Sequence, residues 1–110
     1  KDPAMKHVFY DISWDEVAKY AIASPQTIER AADILNRYPD RFLFGTDNVA
    51  PKDQATHLKV FEMWAPVFAK LTPQASHAVR RGNYENLFDE GRRRVRTWEA
   101  VNVKRTGATQ

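Results

Sequence analysis

The chain has 110 residues, no cysteine and a net charge of +3, with 43% hydrophobic and 28% charged residues. Such a length suits one ordinary domain of globular composition, and it excludes wholesale disorder, a disulfide framework, a thiol nucleophile and a Cys-ligated zinc site. No run approaches the roughly 18 apolar residues of a membrane span and there is no apolar signal core, so a cytoplasmic protein without membrane contact is the expectation.

Lys1-Asp2-Pro3-Ala4-Met5 has no periodicity and reads as an expression remnant. Residues 6–101 are then the expected domain, as a piece of something longer, and 102–110 a flexible tail of small and polar residues. His7–Ile12 is short, β-branched and aromatic, which predicts a first strand. Ser13, with Glu16 three residues on, predicts a capping box opening a helix. Ser24-Pro25 opens a second helix, where Ile28, Ala31, Ala32 and Leu35 fall on one face, and Tyr38-Pro39 closes it.

Arg41-Phe42-Leu43-Phe44-Gly45 is apolar without alternation, the pattern of a strand buried on both faces of a parallel sheet. Asp53 is placed to cap a third helix with an apolar stripe at Leu58, Phe61, Trp64, Ala65, Phe68 and Leu71, kinked or split at Pro66. Thr72-Pro73 starts another helix, expected to stop near Gly82. Asn83 is expected to cap the last one, with Leu87, Gly91, Val95 and Trp98 facing inward. Strand, helix, strand and helices in that order predict a βαβ unit with parallel strands. Two strands alone would leave apolar edges bare.

Charge is uneven: residues 1–60 carry 8 Lys/Arg against 9 Asp/Glu, and residues 61–110 carry 9 against 5. The excess gathers at Arg92, Arg93, Arg94 and Arg96, which raises nucleic acid as a partner. Asp89, Glu90 and Glu99 lie at ion-pairing spacings from those arginines, and no aromatics interleave with them. A solvated, ion-paired helix face is the simpler reading.

Asp47 follows a buried strand, where α/β folds assemble active sites, and it could bind a metal or act as a base; its plainer role is an Asx-turn. Asp11 lies within the first strand and reads as paired with an arginine or facing solvent. His7, His57 and His77 have no metal-ligand spacing to one another, which argues against a metal site made by this chain alone.

Three segments together resemble a known family. Pro39-Asp40-Arg41-Phe42-Leu43-Phe44-Gly45-Thr46-Asp47 is similar to the last barrel strand of the amidohydrolase superfamily, in its "amidohydrolase 2" group. Gly82-Asn83-Tyr84-Glu85-Asn86-Leu87-Phe88 resembles that family's closing helix start, and Val8-Phe9-Tyr10-Asp11-Ile12-Ser13 its seventh strand. Tyr84 stands where the family often has a small residue, and its H-x-H strand has no counterpart here.

The resemblance implies the last two β/α units and C-terminal helices of a truncated (β/α)8 TIM barrel: two parallel strands, about four to five helices, predominantly helical. It also implies a parent enzyme that binds one or two divalent metals, usually zinc, and hydrolyses C–N or C–O bonds of a small-molecule substrate or decarboxylates it. Asp47 would be its metal ligand or water-activating base. The chain by itself is expected to be inactive, to hold no metal, and to self-associate through exposed barrel edges. A small helical module whose basic last helix binds an acidic partner or nucleic acid is the alternative.

Overall fold

A computed structural model describes residues 3–103. The expected remnant at Lys1 and Asp2, and the tail from residue 104 on, lie outside the described residues. The fold is mostly helical, with six α-helices and two parallel strands among the described residues. That is more helices than the four to five expected, because the chain breaks at Trp64, ahead of Pro66, into two helices. No helix among them is long and apolar enough to cross a membrane.

Strands β1 (Tyr10–Asp11) and β2 (Phe42–Leu43) pair in parallel, with Tyr10 opposite Phe42 and Asp11 opposite Leu43. Both are shorter than predicted, and β1 is exposed while β2 is half-buried. A parallel strand is buried on both faces only inside a wider, helix-covered sheet, and a two-stranded sheet provides no such neighbours.

The crossover between them is α1 (Asp15–Ala21) and α2 (Pro25–Arg37). Ser24 caps α2 as its sequence predicts: its hydroxyl accepts from Thr27 N–H, and the Thr27 hydroxyl accepts from Ser24 N–H at 2.9 Å. Ser13 does not cap α1. Its N–H donates to the Asp11 carboxylate at 2.7 Å, and the residue before α1 is Trp14, which makes no side-chain cap.

Helices α3 (Gln54–Met63) and α4 (Ala65–Phe68) are separated at Trp64, ahead of Pro66, as expected. Asp53 caps α3 by accepting from Thr56 N–H at 2.7 Å. The predicted stripe is buried only in part: Trp64 is buried and Phe68 and Leu71 pack against the core as expected, but Leu58 and Phe61 stay exposed and Val60 and Val67 are buried in their place. With Ala18, Ala32, Leu35 and Val79, Trp64 and Val67 make the core cluster, and Phe42 and Phe44 of the β2 segment pack against it. Asn36 of α2 ties this layer to the next: its amide donates to the Lys70 carbonyl at 3.1 Å and its carbonyl accepts from Thr72 N–H at 2.8 Å.

Thr72 caps α5 (Pro73–His77), again as predicted. The helix does not stop at Gly82. It continues through two π-helical segments, Ala78–Gly82 and Glu85–Asp89, into α6 (Glu90–Asn102), with His77, Asn83, Tyr84 and Asp89 all in right-handed helical conformation. Asn83 is therefore no cap. It is buried mid-helix, and its amide donates to the Pro39 carbonyl at 2.7 Å and the Phe42 carbonyl at 2.8 Å. Those long-range bonds replace the local turn that a Gly-Asn pair announces in sequence.

Candidate active site at the strand ends

Both strands run the same way, so the loops leaving them gather at one end of the sheet. Two backbone bonds tie those loops together, and a side-chain bond folds the first loop on itself. The Leu43 carbonyl accepts from Ile12 N–H at 3.0 Å, the Thr46 carbonyl accepts from Trp14 N–H at 3.2 Å, and Asp11 holds Ser13 as above. Gly45 lies against Ser13: a Cβ there would sit 2.9 Å from Ser13 Oγ. The close approach that glycine permits lets the two loops pass side by side.

Trp14, Asp47 and Ala50 have φ of 89°, 47° and 51°, a left-handed backbone that non-glycine residues seldom adopt. These are the non-glycine residues with positive φ among those described, and all three fall in the loops at this end. Strain of this kind, of order 1–3 kcal/mol per residue, gathers where structure over-determines a site.

Between the loops and α3 opens a cleft of about 670 Å³. Trp14, Asp15 and Lys19 line one side, Thr46, Asp47, Asn48 and Val49 the next, and Thr56, Lys59, Val60 and Met63 of α3 the third. Asn48 Nδ2 donates to the Thr56 carbonyl at 3.3 Å, fastening the Asp47 loop to the first turn of α3. Asp47 itself is exposed.

Two carboxylates and two ammonium groups therefore share the cleft. Lys19 is engaged within α1, with Glu16 and with Asp15 at 3.3 Å, and its pKa is raised first by the hydrogen bond to Glu16 and then by that to Asp15. Asp47 can accept a proton or offer carboxylate oxygens to a ligand, and Lys59 on the facing helix can meet an anionic group.

Among the described residues no group of three or more His, Cys, Asp and Glu is arranged to hold a metal. Asp11 is used within its own turn. The His57 ring meets Phe61 edge-on at 5.9 Å, and the His77 ring packs beside Gly82, so neither approaches Asp47's cleft as a lining residue.

No protein-family model matches the chain, and no curated protein or solved structure matches it either.

On the last helix the arginines are ion-paired as their spacing predicts. Arg93 and Arg94 reach Glu90 at 2.6 and 3.2 Å, and Arg96 reaches Glu99 at 2.6 Å. Glu90 is held below the usual carboxylate range, first by the hydrogen bond from Arg94 and then by that from Arg93. Asp53 is lowered likewise by Thr56 N–H. For both groups the folded pKa lies under the unfolded one, so their stabilisation is full above the ordinary carboxylate range and fades as pH falls through the folded value. Far-ultraviolet circular dichroism is expected to show helix loss below about pH 4.5, the ordinary glutamate value. In Asp53→Asn with Glu90→Gln that acid limb should flatten; an unchanged limb would place the titration elsewhere.

Sequence reasoning found Asp47 but not its companions. Trp14, Lys19 and Lys59 come from α1 and α3, and only the parallel pairing brings those helices to one loop. Asn83 carries no such signal either: Gly-Asn announces a turn or cap, and its carbonyl partners at Pro39 and Phe42 lie more than forty residues away.

Proposed function

We propose that the chain forms the last two strand–helix units of a metal-dependent hydrolase barrel of the amidohydrolase type, and that Asp47 works at the mouth of that barrel. The observation that carries this reading is the parallel β1–β2 pair, linked through helices, with Asp47 and a cleft at the C-terminal end of the second strand. Barrel and open α/β enzymes assemble their chemistry at that end.

The residues present do not by themselves fit a metal. A catalytic zinc takes three protein ligands, whereas this cleft offers Asp47 and an Asp15 already engaged with Lys19. The divalent ion, usually zinc in the family resembled, belongs to the whole enzyme, with its other ligands on strands outside this chain. Asp47's own contribution is a carboxylate that ligates or that takes a proton from the attacking water. The substrate is a small molecule split at a C–N or C–O bond or decarboxylated, and the cysteine-free chain suits a cytoplasmic enzyme. Alone, the 110-residue chain is inactive, and its open strand edges let copies associate.

The test begins with the coding DNA upstream of the Lys6 codon. An open frame running back about 150–250 residues to a strand ending in H-x-H is expected, the size an eight-stranded barrel needs. In the enzyme so encoded, Asp47→Asn should lower kcat by about 10²–10⁴-fold, the usual weight of a positioned acid–base group. Loss of bound metal in that variant marks a ligand, and its retention marks a base. A start site just before Lys6, or an undiminished rate in Asp47→Asn, overturns the proposal.

A further inference from the structure

The helix that begins at Pro73 has two unlike halves. In its first half Ala75, Val79, Gly82 and Asn83 are buried against the rest of the fold. From Tyr84 to Asn102 no residue is buried. That second half reaches roughly 28 Å past the packed half at the rise of a helix. Apolar side chains nevertheless continue along it. Leu87, Val95 and Trp98 keep one stripe, with Val95 54% and Trp98 61% exposed, and Tyr84 and Phe88 meet beside it with tilted rings, centroids 4.9 Å apart. A continuous apolar stripe on a free helix is an interface feature, unlike single scattered hydrophobes.

Gly91 lies in the middle of that stripe. Glycine is the poorest helix former after proline, and among the described residues nothing outside its own helix backbone lies within 4 Å of where its Cβ would be. No contact of the chain with itself accounts for a glycine there, whereas a second helix crossing closely at this point does.

The order of charges says which helix. Glu85, Asp89 and Glu90 precede Arg92, Arg93, Arg94 and Arg96, with Glu99 the one acid among the latter, so residues 84–90 carry −3 and residues 91–102 carry +3. An antiparallel copy crossing at Gly91 lays the acidic half of one helix along the basic half of the other, and a parallel copy sets like on like. Surface area agrees. The chain exposes 8694 Å², against about 6,200 Å² for a compact monomer of its mass. The difference exceeds the roughly 800 Å² that each partner buries in an ordinary stable interface.

We propose that residues 84–102 form a homodimerisation arm, in which two copies of this chain cross antiparallel at Gly91 with their Leu87–Val95–Trp98 stripes in contact. The two-fold is closed and self-complementary, so this helix contact joins two copies and no more. This inference is independent of the reading of Asp47.

The cysteine-free chain makes the test direct. Gly91→Cys is expected to give a disulfide-linked dimer under mild oxidation, since a disulfide needs Cα atoms within about 7 Å. Ala100→Cys, half a turn round the helix on the opposite face, should give none. Val95→Glu with Trp98→Glu should abolish the Gly91→Cys cross-link, and sedimentation should show the loss of the dimer. The two replaced residues are exposed, so circular dichroism should be unchanged. Gly91→Leu should weaken association at least tenfold while raising helix content, the opposite of what a solvent-exposed monomeric helix would show. The proposal fails if Gly91→Cys stays uncoupled, as it would if copies met at their strand edges or if a different partner covers the stripe. It fails equally if Ala100→Cys couples as fast, or if coupling survives the double glutamate variant.

Discussion

Trp64→Ala is expected to abolish the cooperative thermal melt of the chain. Trp64 is the largest buried side chain, stacked on Phe68 at 5.8 Å and edge-on to Phe44 at 6.0 Å. Its neighbours in the core are small: Ala18, Ala32, Leu35, Val67 and Val79. They cannot close over the gap that a lost indole leaves, and Trp→Ala in a core costs about 3–5 kcal/mol. A whole domain has only about 5–15 kcal/mol of stability, and a core this thin sits toward the lower end. Trp64→Phe should be far milder. Its ring keeps the contacts with Phe44 and Phe68, and it removes an indole N–H that is buried without a hydrogen-bond partner. Trp14 and Trp98 are half-exposed or more, so blue-shifted fluorescence reports Trp64 alone in the parent, and far-ultraviolet circular dichroism follows the melts of the two variants that lack it. A melt of Trp64→Ala within about 1 kcal/mol of the parent would show that the core lies elsewhere.

Local signals in the sequence were dependable wherever the physics is local. Ser24-Pro25, Asp53 and Thr72-Pro73 each start a helix, because a side-chain oxygen satisfying an N–H two or three residues on needs nothing from the rest of the fold. The face of α2 was legible for a related reason: Ile28, Ala31, Ala32 and Leu35 share one side of the helix, and all four join the core. Asp47 was legible as the polar residue that follows an apolar strand and a glycine.

What failed depended on partners distant in sequence. Ser13 is a good cap by composition, but Asp11 takes its N–H, and Trp14 bonds across to Thr46 instead. The predicted stripe of α3 and α4 kept Trp64, Phe68 and Leu71 on the core but lost Leu58 and Phe61 to Val60 and Val67, the residues that turn inward. The stripe on α6 is present as read, yet nothing among the described residues covers it. Its inward-facing role belongs to an interface, and amphipathicity reports only that a face prefers cover, not whose.

Asn83 is the other residue whose loss should be felt throughout the fold. Its amide donates to the carbonyls of Pro39 and Phe42 at 2.7 and 2.8 Å, fastening the long helix to the entry and first residue of β2. The Leu43 carbonyl turns toward β1, where it accepts from Ile12 N–H. Successive residues of a strand alternate sides, so the Phe42 carbonyl points away from β1, and Asn83 covers an edge that no strand among the described residues covers. Asn83→Ala leaves two carbonyls of the part-buried contact without a donor, at about 1–3 kcal/mol each. Asn83→Asp should be worse at neutral pH, because it sets a carboxylate against two carbonyl oxygens in place of a donor. That Asp can fold only by staying protonated, so its folded pKa lies above its unfolded one. Its stability deficit should therefore shrink as pH falls through the folded value, where the protonated acid can restore one of the two bonds. Denaturant melts of both variants between neutral and acid pH separate this from simple packing. An Asn83→Asp deficit that does not change with pH would mean the side chain fills space without holding the strand. A pH-dependent one makes Asn83 the clamp that positions β2, and with it the loop carrying Asp47.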